Sequence, residues 1–163
     1  MRFVALRSIP LALLATIVPP PVAAAGTSAP EISVEAGHLA ARGYDVTAYF
    51  LQAMPVRGSK AHKLEYKGAT WLFASAEALA KFKADPAAFE PQFGGYCAWA
   101  VSQGYIAPGD PEQWKIVDGK LFLNFNARAK ELWEANRAEA IMRGHANWPA
   151  VLTDNQGSGG DMN

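Results

Sequence analysis

A single cysteine, Cys97, stands in a chain of 163 residues. No intramolecular disulfide can form, so the fold must be held by burial and not by covalent cross-links. The side chains for that are present: 50% of the residues are hydrophobic and 11% are aromatic. Aromatic side chains are the largest apolar surfaces a small core can hide.

The start of the chain sharpens the point. Arg2 and Arg7 precede a short apolar run, Ile9 to Val18, and no acidic residue occurs before Glu31. Pro19-Pro20-Pro21 ends the run, since proline has no N–H to continue a helix. Val22-Ala23-Ala24-Ala25 then offers the small side chains a signal peptidase needs, which places cleavage after Ala24 or Ala25. The apolar run is shorter than the ~20 residues that span a bilayer. The two arginines are not adjacent and no cysteine follows the run, so neither a twin-arginine signal nor a lipid anchor is expected. The expectation is a periplasmic or secreted protein with no stable membrane anchor after cleavage. Without Arg2 and Arg7 the remainder carries 13 basic and 15 acidic residues. That near-neutral balance argues against nucleic acid as a partner.

Beyond the leader, residues 26–36 are small and polar and read as a linker. Asp45 is expected to N-cap a short helix carrying Tyr49, closed by Met54-Pro55. His62 to Phe73 reads as a β-hairpin turning at Lys67-Gly68. Ser75 then caps a helix to about Ala84, with Ala78, Leu79 and Phe82 on one face. Asp85-Pro86 stops that helix and opens a turn carrying Phe89. Tyr96 to Val101, uncharged and preceded by two glycines, reads as a buried short helix or strand ended by Gly104. A second hairpin, Trp114 to Val117 and Lys120 to Phe125, turns at Asp118-Gly119. Asn126 caps a last helix to about Met142, with Leu132, Trp133, Ala140 and Ile141 on its apolar side and Gly144 as its stop. Residues 150–163 read as a disordered tail. No repeat of 20 to 50 residues is evident, although hairpin-then-helix occurs twice. The fold class is therefore α+β: a small single domain with antiparallel β-hairpins packed on short helices and a longer C-terminal helix.

Three groups of residues are candidates for chemistry. Cys97 follows two glycines at a possible helix start, where a thiol can bind a metal or react; equally, a lone cysteine packs as a small hydrophobe. His38, His62 and His145 sit in no ligand motif. His38 and His145 can join Cys97 only if the ends of the domain meet near the glycine loop, and such a set would suit copper or zinc. Tyr44, Asp45 and Tyr49, with Tyr96, Cys97 and Trp99, can line a small-ligand pocket, or else serve capping and core packing. No nucleophile elbow, phosphate loop or paired-carboxylate motif is present, so no catalytic residues are assigned and an enzyme is not expected.

The order of motifs resembles a known family. Gly43-Tyr44-Asp45 with Ala48-Tyr49-Phe50, Gly58-Ser59-Lys60, Gly68-Ala69-Thr70-Trp71, Asp85-Pro86, Gly94-Gly95-Tyr96-Cys97-Ala98, Asp118-Gly119-Lys120-Leu121 and Ala146-Asn147-Trp148-Pro149 are similar to the exported bacterial branch of the YHS domain proteins. The resemblance covers residues 37–149 and implies a small α+β unit. Relatives of this kind accompany metal-transporting ATPases and monooxygenases and carry a Phe-Cys-Ser-x-x-Cys-x-x-x-Phe pattern. Here that frame runs from Phe73 to Phe82 with Ala74 and Ala78 at the cysteine positions, so the resemblance transfers the fold and not the metal site. The expected function is that of a periplasmic accessory protein binding a small ligand or a metal. The alternatives are a structural module that engages a protein partner, or a small thiol-dependent enzyme.

Overall fold

The computed structural model describes residues 28–35 and 37–154. The expected leader at 1–25 and most of the expected tail lie outside them. The architecture is α+β, as expected. The first hairpin pairs β3 (Ser59–Tyr66) with β4 (Ala69–Phe73) in antiparallel register, Leu64 opposite Trp71. Its turn is Lys67-Gly68, both at positive φ. Two short strands, β1 (Val34–Glu35) and β2 (Leu39–Ala40), complete a four-stranded sheet in the order β1-β2-β4-β3. Between them and the hairpin, α1 (Ala48–Leu51) carries Tyr49 into the core. Ser75 Oγ accepts the N–H of Ala78, 3.1 Å away, and starts α2 (Ala76–Ala84), which α3 (Pro86–Phe89) follows directly. The buried Phe82 ring of α2 packs 5.1 Å from Trp71 and from Phe73, and 5.7 Å from Tyr66. This aromatic cluster is the first core.

The second hairpin pairs β5 (Asp110–Val117) with β6 (Lys120–Asn124) about Asp118-Gly119. Ahead of it comes α4 (Ala98–Ser102), so that of the two expectations for the uncharged run, helix or strand, the short buried helix is the one that forms. The last helix differs from expectation. Asn126 caps α5 (Ala127–Ala135) through Ala129, but the chain breaks at Asn136 and restarts as α6 (Arg137–Asn147). Gly144 lies inside α6 and is no stop. A Cβ there would stand 2.6 Å from the Phe93 ring, so glycine is what lets the helix seat on that ring. Phe93, Phe122, Trp133 and Ala140 form the second core.

The two halves repeat one another. Gly43-Tyr44-Asp45 recurs as Gly95-Tyr96-Cys97, each preceded by two residues at positive φ. Asp45 N–H donates to Val56 O, and Cys97 N–H to Ala107 O; Gly58 N–H donates to Gly43 O, and Gly109 N–H to Gly95 O. Leu39 pairs in parallel with Thr70, and Pro91 with Leu121. Ser75 and Asn126 cap equivalent helices, and Phe82 and Trp133 fill equivalent core places. The offset is 52 residues up to Cys97 and 51 beyond it, just outside the range of 20 to 50 in which no repeat is evident.

Both ends of the expected domain extend further. Residues 28–35, read as linker, form a strap across the second half: Ser33 N–H donates to Gly94 O, Tyr96 Oη to Pro30 O and Ala29 N–H to Leu152 O. Ile32 is buried. The tail begins later than residue 150, because α7 (Val151–Asp154) buries Val151 in the second core. Among the described residues no helix is long and apolar enough to cross a membrane.

Candidate functional site

The strap runs over the seam between the halves and leaves a cleft of about 280 Å³ beside it. It is lined by Ile32, Pro91, Phe93, Gly94 and Trp148 and by the titratable side chains of Glu31, Lys67, Glu90, Lys120 and His145. Local rules place each of these. Phe93 and Gly94 are both in the left-handed region, at φ 56° and 60°. This turns the chain so that Gly94 meets the strap, where a Cβ would fall 1.8 Å from Glu31 O. Lys67 is at the tip of the first hairpin and Lys120 opens β6, so each hairpin presents one ammonium to the seam. His145, in the last turn of α6, stacks edge-on to Phe93 at 5.2 Å. Trp148 follows α6 and lies 6.0 Å from Phe93 and 6.1 Å from Tyr96.

The charges are unevenly matched. Lys67 Nζ is 2.9 Å from Glu31 Oε1 and 2.9 Å from Glu90 Oε2. Burial favours the neutral amine, but the two carboxylates outweigh it and raise the Lys67 pKa, so it stays charged. Tyr66 donates to the other oxygen of Glu90 at 3.0 Å. Glu31 and Glu90 are thus engaged, while Lys120 and His145 have no ion pair among the described residues. The lining carries two carboxylates against two ammonium groups, with Lys120 and His145 outside any ion pair among the described residues and beside an aromatic wall.

The six residues expected to line a ligand pocket are not brought together into one. Asp45 is 1% exposed and its carboxylate is fully used: Thr47 donates to Oδ1 from N–H at 2.9 Å and from Oγ1 at 2.8 Å, and Ala74 N–H donates to Oδ2 at 2.8 Å. It does not cap α1 as expected, but ties the Thr47 turn to the end of β4. Tyr49 is buried against Trp114 and donates to Pro111 O, and burial raises its pKa. Tyr44 lies under Arg57 and donates to Glu112. Tyr96 anchors the strap. Trp99 lines a separate shallow cleft with Gln103 and Arg143.

Nor does a Cys/His site form. Among the described residues no group of three or more His, Cys, Asp or Glu is placed to hold a metal. Cys97 is fully buried, packed with Ala100 and Ala129 under Trp99, Tyr105 and Phe125. His38 sits in the β1–β2 turn, His145 at the cleft and His62 on β3. Of the residues taken from sequence as candidates for chemistry, only His145 lines the cleft. Its other members come from five separated segments and share no spacing that a sequence reading can detect.

The family model of the YHS domain matches residues 47–92. No curated protein and no solved structure matches the chain. The match spans α1 to the start of the Phe93 turn, which is the first of the two repeated halves. The metal that cysteine-bearing relatives hold does not fit here: Ala74 and Ala78 stand at the thiolate positions, and Phe125 and Ala129 at their counterparts in the second half. With its family segment in the first half and a second unit of the same architecture behind it, the chain is a YHS domain-containing protein.

Proposed function

We propose that this chain is an exported accessory protein, periplasmic or secreted, whose seam cleft binds a small anionic molecule. One observation carries the reading: Lys120 and His145 line a cleft of about 280 Å³ with no ion pair among the described residues, beside Trp148 and Phe93. That volume suits a ligand near the small end of the usual range for binding sites. Lys120, with His145 when protonated, binds the anionic group, and Trp148 covers the apolar remainder. Lys67 is held by its two carboxylates and shapes the rim. Export rests on the Arg2–Ala25 pattern and gives the protein its compartment.

The test is heteronuclear NMR of the mature chain titrated with small mono- and dicarboxylates and inorganic phosphate. Saturable shifts are expected at Lys67, Lys120, His145 and Trp148, and Lys120→Ala should weaken binding roughly tenfold. Shifts scattered over the surface, or unchanged by Lys120→Ala, would refute the cleft. N-terminal sequencing of the protein from its host should begin at Ala25 or Gly26; an intact Met1 in the secreted fraction would refute export by this leader.

A further inference from the structure

The seam cleft has a neighbour. Between the start of the strap and α7 a second cleft of about 500 Å³ opens. The two share Glu31 and Trp148, so they adjoin along the strap. Their linings differ in kind. Five titratable side chains line the seam cleft, whereas Ala29, Trp148, Pro149 and Leu152 give the second an apolar lining in which Glu31 is the only charged side chain. Lys67 holds that carboxylate at 2.9 Å, so its charge is engaged. Local contacts fix the walls. Ala29 N–H donates to Leu152 O at 2.9 Å and Leu152 N–H to Pro149 O at 2.9 Å, which ties the strap to α7. Trp148 is half-buried, with its ring 6.0 Å from Phe93. Alone, the seam cleft of about 280 Å³ lies at the bottom of the range for ligand sites, roughly 300–1,000 Å³; joined to its neighbour of about 500 Å³ it lies well inside that range.

We infer that the ligand of the seam cleft is an amphipathic anion, a single carboxylate on an unbranched apolar chain, with the carboxylate at Lys120 and His145 and the chain passing Trp148 into the second cleft. This builds on the anion-binding reading of the seam cleft and extends it to the ligand's other end. The charge pattern sets the orientation. Lys120 and His145 line only the seam cleft, and no cationic side chain lines the second. A chain laid on Ala29, Pro149 and Leu152 takes apolar surface of both partners out of water, a gain that grows with each methylene covered. An ionised group in the same place would lose hydration with no ion partner to replace it. Dicarboxylates are therefore disfavoured, and short anions leave the second cleft unused.

The test titrates the mature chain with butanoate, hexanoate and octanoate, each below its micellar concentration, and with octylammonium, followed by heteronuclear NMR. Affinity should rise roughly two- to threefold with each added methylene. The signals of Ala29 and Leu152 should join those of Lys120 and His145 as the chain lengthens. Octylammonium should bind about tenfold or more weakly than octanoate. Leu152→Gln, and Ala29→Trp, which fills the second cleft, should each flatten the chain-length series and leave butanoate binding unchanged. Three results overturn the amphiphile assignment: equal affinities for butanoate and octanoate, octylammonium binding as tightly as octanoate, or a series that keeps its slope in either folded variant. In those cases butanoate shifts at Lys120 and His145 still uphold the seam reading. If no chain length disturbs Lys120 and His145, the anion-binding reading falls and the amphiphile assignment falls with it.

Discussion

At the scale of single residues, this chain is decided by a few side chains in unusual backbone or charge settings. Gly94 is at φ +60° with Glu31 O where its Cβ would be, so Gly94→Ala combines backbone strain with a clash. It should cost about 1–3 kcal/mol or more, measured by urea unfolding, and should loosen the strap. Gly144→Ala is the informative partner. In an open helix that change would stabilise by about 1 kcal/mol, but here Phe93 is in the way, and a loss of about 1–3 kcal/mol is expected. Asp45→Ala leaves Thr47 and Ala74 donors unpaired in a buried site and should cost about 2–4 kcal/mol. Cys97 makes a pH prediction. Burial raises its pKa above the ordinary value of 9.0, against the N–H groups of Ala100, Phe125 and Trp99. Above pH 9 the unfolded thiol ionises while the folded one stays protonated. Folded stability therefore falls as pH rises beyond 9, and Cys97→Ala should flatten part of that fall. Tyr49, also raised by burial, adds to the same slope at higher pH. That Cys97 is special was legible in the sequence. That it takes in the second half the place Asp45 takes in the first was not, because the comparison runs to a residue 52 positions away with different chemistry.

At the scale of elements, turn and cap chemistry carried most of what the sequence could tell. Lys67-Gly68 and Asp118-Gly119 provide the positive φ angles that tight hairpins need, and both hairpins form there. Ser75 and Asn126 each accept an N–H three residues on; alanine at either should cost about 1 kcal/mol, read from the shift in urea midpoint. The break at Asn136 escaped the sequence reading because apolar spacing continues through it, from Trp133 to Ala140 and Ile141. What differs is the backbone at Asn136, at φ −133° and ψ 44°, which redirects α6 onto Phe93 and α4. The strap at 28–35 was missed for a related reason. Its composition is that of a loop, and what holds it are backbone and tyrosine hydrogen bonds to residues more than 60 positions distant.

At the scale of the whole molecule, two equivalent hairpin-and-helix units pack side by side, and a strap from the N-terminal segment crosses the groove they leave. The pattern was half visible, as two hairpins each followed by a helix. The pairing of Phe82 with Trp133, Phe73 with Asn124 and Asp45 with Cys97 hid it, since equivalent places hold dissimilar side chains. The seam explains why the cleft is where it is: each unit contributes one lysine, the turn between them contributes Phe93 and Gly94, and α6 with Trp148 closes the side. On the proposed function, this seam holds a small anion. Native mass spectrometry of the protein isolated gently from its own host tests it most directly. The wild-type chain should carry one stoichiometric small-molecule adduct that is lost in the Lys120→Ala/His145→Ala double variant. A bare mass for the wild type, or an adduct retained in the double variant, would contradict it.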